Sequence, residues 1–342
     1  MKGSELVRLV QIANGSARRV ALVAEPRLKC LTGVESVYEL AAACIRERVS
    51  LYRRFQELAT GETLSYDNVY SRKSEWYLLS PIDVPGAPHR VLVSGTGLTH
   101  LGSAKNRQAM HVQQATAAKP LTDSMRMFEL GIAGGRPKDG EIGVAPEWFY
   151  KGHGDALQAP FAPLTVPAHA EDGGEEAEIA GLYLVDSDGS PYRLGLCAGN
   201  EFSDHSFERR NYLNLAGSKL RQCSIGPELV VGAEFRAVKG EVSIERGGVP
   251  FWQKPIETGE ENMSHSLANL EHHHFKFEGH RIPGTVHVHF FGAHSLSFGE
   301  GVELADGDWM QVRFEGYGRP LRNPIHIQEK KLNRLVSVQP LV

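Results

Sequence analysis

The chain has 342 residues, 41% of them hydrophobic and 23% charged, with a formal net charge of −4. That length suits one large domain or two with proper cores, and the mild negative balance excludes the charge-driven recruitment of nucleic acid or an anionic membrane surface. No stretch approaches the apolar length that spans a bilayer, residues 1–6 carry no apolar leader run, and Cys30, Cys44, Cys197 and Cys223 have no paired spacing, so buried thiols in a reducing, cytoplasmic compartment are expected.

Residues 6–12 and 19–23 alternate apolar and polar side chains around Asn14-Gly15, which predicts a hairpin. Residues 35–59 carry Val37, Leu40, Ala41, Cys44 and Ile45 at helical spacing. These elements predict a small α+β domain over residues 1–85, closing in the proline-rich run from Pro81 to Pro88. A larger catalytic domain over residues 86–330 follows. Its predicted strands are 90–94, 148–151, 179–185, 192–197, 229–231, 241–245, 285–290, 309–314 and a short one near 324–327, and its one clear helix is 264–275. No glycine-rich dinucleotide turn follows a strand, no P-loop occurs and no repeat is visible. The expected class is α+β and strand-rich, with many turns from 36 glycines and 18 prolines.

Glu176 and Glu178 stand one residue apart at the head of the 179–185 strand. Side chains two apart on a strand share a face, and two carboxylates on one face repel unless a positive charge sits between them. A hard divalent cation answers that need, and Mg²⁺ and Mn²⁺ both accept an all-oxygen site. Glu201, in Gly199-Asn200-Glu201, supplies a third carboxylate. If residues 147–151 are extended, Glu147, Phe149 and Lys151 share a face, and Lys219 precedes Cys223-Ser224-Ile225-Gly226-Pro227. A metal ion beside an amine is equipment for acid/base chemistry next to a carbonyl. A 2-keto acid chelates such an ion, and a lysine whose pKa burial lowers can take the adjacent proton. His272, His273 and His274 point about 100° apart on a helix and do not converge on one ion, whereas His287 and His289 share a strand face and read as pocket-lining.

In this order, the motifs Pro146-Glu147-Trp148-Phe149-Tyr150-Lys151, Glu176-Ala177-Glu178, Gly199-Asn200-Glu201 and Lys219 before Cys-Ser-Ile-Gly-Pro resemble the fumarylacetoacetate hydrolase superfamily. The closing patterns Gly307-Asp308-Trp309 to Gly318 and Leu321-Arg322-Asn323-Pro324 extend the resemblance across residues 90–327. Within the superfamily the motifs are most similar to the 2-keto-3-deoxypentonate dehydratases of non-phosphorylative sugar catabolism. The resemblance implies a mixed β-sandwich roll. It implies metal ligation by Glu176, Glu178 and Glu201, the last where the family usually has Asp. It makes Lys219 and Glu147 an acid/base pair and places Lys151 near the substrate. Asn200, Ser224, His205 (where the family carries Arg) and His289 fall on the substrate side, Asn200 also being suited to hold a turn. The implied partner is a small 2-keto sugar acid, with no nucleic acid and no membrane, and a homodimer or larger assembly is expected.

The alternative reaction is hydrolysis of a carbon–carbon bond in a 2,4-diketo acid. The hydrolases of this superfamily activate water with a His and a Glu three residues later. Here His100 is followed by Ser103, which favours elimination. A third reading is a metal-stabilised sugar-acid binding protein without turnover.

Overall fold

The computed structural model describes residues 6–112 and 122–341, so the expectations for residues 1–5 lie outside it. Two sheets organise the chain. The larger, of thirteen strands among the described residues, runs through Ala59–Ser65, Arg27–Leu31, Ala17–Ala24, Val7–Asn14, Leu229–Val231, Pro191–Asn200, Ala177–Val185, Val286–Phe290, Val91–Gly97 and Glu147–His153. The smaller joins Val249–Thr258, Val238–Arg246, Trp309–Phe314, Leu321–Ile327 and Leu164–Val166. The mixed two-sheet architecture is the expected one.

The N-terminal hairpin forms where its alternation predicts, with Asn14 opposite Ala17 across Gly15, whose φ is +57°. It is continuous with the larger sheet, since Val7, Arg8 and Leu9 pair antiparallel with Val231, Val230 and Leu229. The helical stretch of residues 35–59 is two helices, Val37–Glu47 and Leu51–Leu58. Arg48 is left-handed (φ 54°) and returns its amide to Cys44 and Ile45, and the Ser50 hydroxyl then accepts from Arg53 to start the second helix. Leu267–Phe275 is helical as expected, with Ser266 as its N-cap.

Elements absent from the sequence reading include the strands Arg27–Leu31, Ala59–Ser65, Leu164–Val166 and Val249–Thr258 and the helices Leu101–Val112, Asp123–Gly134, His205–Arg210 and Leu215–Lys219. The Leu101–Val112 helix begins in the glycine-rich run 95–102 and lacks a clear apolar stripe, so no periodicity betrays it.

The core lies on both sides of the central strands. Every residue of Ala177–Val185 is buried, because helices cover one face and the smaller sheet part of the other. All four cysteines are buried thiols. Among the described residues, no helix is long and apolar enough to cross a membrane.

Candidate functional site

The strand Ala177–Val185 pairs antiparallel with Pro191–Asn200, Glu178 facing Gly199 and Ala177 facing Asn200. This hairpin brings the end of one strand beside the start of the other. Glu201 donates its amide to the Glu176 carbonyl (2.9 Å), and Asn200 Oδ1 accepts the amides of Glu176 and Phe202 (both 3.3 Å). Asn200 therefore knits the two ligand-bearing segments together, as its turn-holding reading expects. One carboxylate oxygen from each of Glu176, Glu178 and Glu201 lies within 4.8 Å of the others, and all three residues are buried.

Two lysines complete this cluster. The Lys219 ammonium donates to Glu176, to Glu201 and to the Ser203 hydroxyl (3.0 Å), 4.7 Å above the Phe149 ring. Lys151 donates to Glu201 and to the Phe202 carbonyl (2.9 Å). Burial works against the Lys219 ammonium, but Glu176 and Glu201 outweigh it and hold its pKa above the usual lysine range. Lys219 is thus a counter-ion of these carboxylates, whereas the sequence reading expects burial to lower its pKa. Burial would also raise the Glu176 carboxyl, yet Lys219, His205 and Arg107 hold it well below the usual range. Glu178 goes the other way. Burial, and then the charges of Glu201 and Glu176, push it well above the usual range. Its Oε2 accepts the Gly292 amide (2.7 Å), presented by a left-handed glycine (φ +100°) where a Cβ would lie 2.0 Å from Thr99 Oγ1.

With Glu178 ionised, three carboxylates face two ammoniums, and the upward push on Glu178 marks a positive charge that this buried space still calls for. The donors are all oxygen and converge, so Glu176, Glu178 and Glu201 fit a hard divalent cation. His205 Nε2 meets Glu176 Oε1 at 3.1 Å, so it contacts a neighbouring carboxylate.

Glu147 is buried at the start of the edge strand Glu147–His153, in a second charged group beside the first. Arg107 Nη1 donates to both its oxygens (3.0 and 2.7 Å), and the Tyr212 hydroxyl donates to Oε1 (2.5 Å). Arg107 Nε reaches Glu208 Oε1 at 2.8 Å. Arg107, Glu208 and Tyr212 escape the motif reading. One signal could have found two of them: His205, Glu208, Tyr212 and Lys219 recur at steps of three, four and seven, a helical face.

Three predicted residues stand apart. His100 bonds Thr99 Oγ1 (2.9 Å) and Thr258 Oγ1 (3.0 Å), with no carboxylate among these partners, and burial pushes its pKa down to about 3. Ser224 donates to the Gln158 carbonyl (2.9 Å) in a short strand pairing. His289 pairs with Gly181 whereas Phe290 pairs with Ala180, so His289 lies on the sheet face opposite Glu178. There it bonds Ser94 Oγ (2.9 Å) and stacks on His274 at 4.3 Å between ring centroids. His287 points to the same side and bonds His274 Nε2 (2.9 Å). The pairing register thus separates His289 from the carboxylates, against the substrate-side expectation.

No protein-family model matches the chain, and no curated protein sequence matches it. Solved structures do. The apo form of 2-keto-3-deoxy-D-arabinonate dehydratase is similar at a TM-score of 0.68 and 18% identity, over 94% of this chain and 100% of that one. The same enzyme complexed with magnesium and 2,5-dioxopentanoate gives 0.66 and 17% with the same coverage. Fumarylacetoacetate hydrolase from psychrophilic Exiguobacterium antarcticum gives 0.59 and 15%, again over 94% and 100%. The chain shares its fold with these enzymes, as the resemblance of its motifs implies.

Proposed function

We propose that this protein is a metal-dependent dehydratase of a 2-keto-3-deoxy sugar acid, with a 2-keto-3-deoxypentonate as substrate and the semialdehyde of 2-oxoglutarate as product. The observation that carries this reading is the convergence of Lys219 and Lys151 on three buried carboxylates. The fold, shared with a dehydratase that binds magnesium and a dioxo acid, supports it. Glu176, Glu178 and Glu201 would hold the divalent ion, Mg²⁺ in the first instance and Mn²⁺ as an equivalent. Bound there, it supplies neutralisation of the surplus negative charge and a Lewis acid for the oxygens of a keto acid.

The chain's own residues supply the rest. Lys219, with Lys151 beside it, is the group that removes the proton next to the carbonyl, in the neutral form that a divalent ion would favour by taking over the charges of Glu176 and Glu201 that otherwise hold it protonated. Glu147, held by Arg107 and Tyr212, is the acid partner: it takes up a proton before the elimination and gives it to the departing hydroxyl, which leaves as water while Lys219 keeps the proton from carbon. Asn200 keeps the two ligand segments in register, and His205 orients Glu176. The closed surroundings exclude water: Lys219, Lys151 and Glu201 are each at most 1% exposed. Elimination is favoured over hydrolysis because both His100 nitrogens bond threonine hydroxyls, leaving that imidazole without the carboxylate that water activation needs. A homo-oligomeric, cytoplasmic enzyme acting in sugar catabolism completes the proposal, with residues 1–85 and 86–330 as its two domains.

The test is the purified protein with Mg²⁺ and 2-keto-3-deoxypentonate, followed by product chromatography. The expected product is 2,5-dioxopentanoate. Pyruvate released from a 2,4-diketo analogue, with no dehydration of the pentonate, would replace this reading with the hydrolase.

A further inference from the structure

The segment of residues 205–219 brings four side chains to the site, and two of them, Glu208 and Tyr212, are assigned by no motif. Asn211 Oδ1 accepts the Leu213 amide (2.9 Å) and opens the short turn Tyr212–Asn214, between the helices His205–Arg210 and Leu215–Lys219. The turn sets Tyr212 between the two helices, and His205, Glu208, Tyr212 and Lys219 all meet buried charges. His205 meets Glu176, Glu208 meets Arg107, Lys219 meets Glu176 and Glu201, and Tyr212 meets Glu147.

Glu147 sits between two donors from different parts of the chain. The Arg107 guanidinium comes from the Leu101–Val112 helix, and the Tyr212 hydroxyl comes from the 205–219 segment. Its Oε2 also presses on Gly97, where a Cβ would lie 1.7 Å away. A proton-transferring carboxylate must be held to a fraction of an ångström, and a second donor at an angle to the first does so. Burial, and then the Glu147 charge, raise the Tyr212 pKa, so the phenol stays protonated and remains a donor.

We propose that Tyr212 is a positioning residue of the reaction, a hydrogen-bond donor that locks the orientation of the Glu147 carboxylate against Arg107. This rests on the dehydratase reading. The test substitutes Tyr212→Phe, which keeps the ring and removes the donor. Two readouts are taken: steady-state kinetics with 2-keto-3-deoxypentonate and Mg²⁺, and the infrared carboxylate stretch of Glu147 in the substrate-free protein, assigned by its loss in Glu147→Gln. The expected result is a kcat lower by about ten- to hundred-fold with KM within about two-fold, together with a shifted Glu147 band. Wild-type kcat in Tyr212→Phe overturns the proposal. So does a loss of activity that tracks a lowered thermal midpoint while the Glu147 band stays in place, because that marks a merely structural role. A wild-type protein that leaves the pentonate unchanged sinks the dehydratase reading instead. The infrared band then decides the hydrogen-bond role alone, a shift supporting it and an unmoved band overturning it.

Discussion

The strands Ala177–Val185 and Val286–Phe290 present two opposite solutions to buried polarity on their two faces. One face carries Glu178, beside Glu176 and Glu201, with Lys219 and Lys151 as counter-ions. The other carries His287 and His289, packed against His274 with no acid among the partners described for them. Taking a carboxylate or ammonium out of water is costly unless an opposite charge follows it, so the first face keeps its charges and pairs them. An imidazole can shed its proton, so the second face is neutral. Burial, and then neighbouring imidazoles, push His287 and His289 down to about 3. Around these residues, charge is therefore gathered on one side of a single sheet and shed by the imidazoles on the other, and the proposed reaction draws on the carboxylate side.

The harshest way to break this contrast is Lys219→Met. It removes the ammonium shared by Glu176 and Glu201, and turnover should fall by at least about 10³-fold, as for a lost proton-transfer group. Breaking a buried pair also costs about 3–5 kcal/mol, which denaturant titration of the metal-free variant would reveal. A variant that turns over like wild type would remove Lys219 from the mechanism.

Acid should act next, and on the imidazole face. The folded state keeps His287 and His289 neutral, while the unfolded chain takes up protons below about pH 6.5. Their contribution is therefore complete above pH 6.5 and is lost as pH falls toward about 3. At pH 5 the loss is about 2 kcal/mol for each histidine. Urea unfolding at pH 7 and pH 5 measures it, and His289→Asn should flatten the dependence. An undiminished slope in that variant would assign the acid sensitivity elsewhere.

Metal is expected to act on the carboxylate face alone. Mg²⁺ at about a hundred times its dissociation constant should stabilise the protein by about 2.7 kcal/mol, and a chelator should reverse this in a thermal melt. Glu178→Gln should abolish the shift, and His289→Asn should leave it intact. Equal shifts in both variants would mean that the ion binds elsewhere.

The mildest perturbation is Trp148→Phe, which deletes the indole N–H donated to His274 Nδ1 (3.2 Å). About 1 kcal/mol of stability should be lost with turnover unchanged. A fall in kcat would show that the two faces communicate.

Legibility in the sequence followed the range of the interaction. Glu176 and Glu178 were readable as neighbours because a strand repeats every two residues, and most strands of residues 90–327 were readable from apolar runs. The Leu101–Val112 helix was not, since its sequence lacks a clear apolar stripe, and Arg107 was lost with it. His289 was misplaced because only the register against Gly181 sets its side of the sheet. A shift of one residue would have turned it toward the carboxylates.

By itself, then, the sequence determined which side chains could carry charge and which short segments would be extended. Those properties depend on residues one to four apart, whose geometry the local backbone dictates. Tertiary structure alone decided that Arg107 and Tyr212, 40 and 65 positions away, would grip Glu147, and that the histidines would gather out of reach of the carboxylates. Strand pairing and helix docking bring such groups together across long loops, and the closure of those loops leaves no periodic trace in the chain.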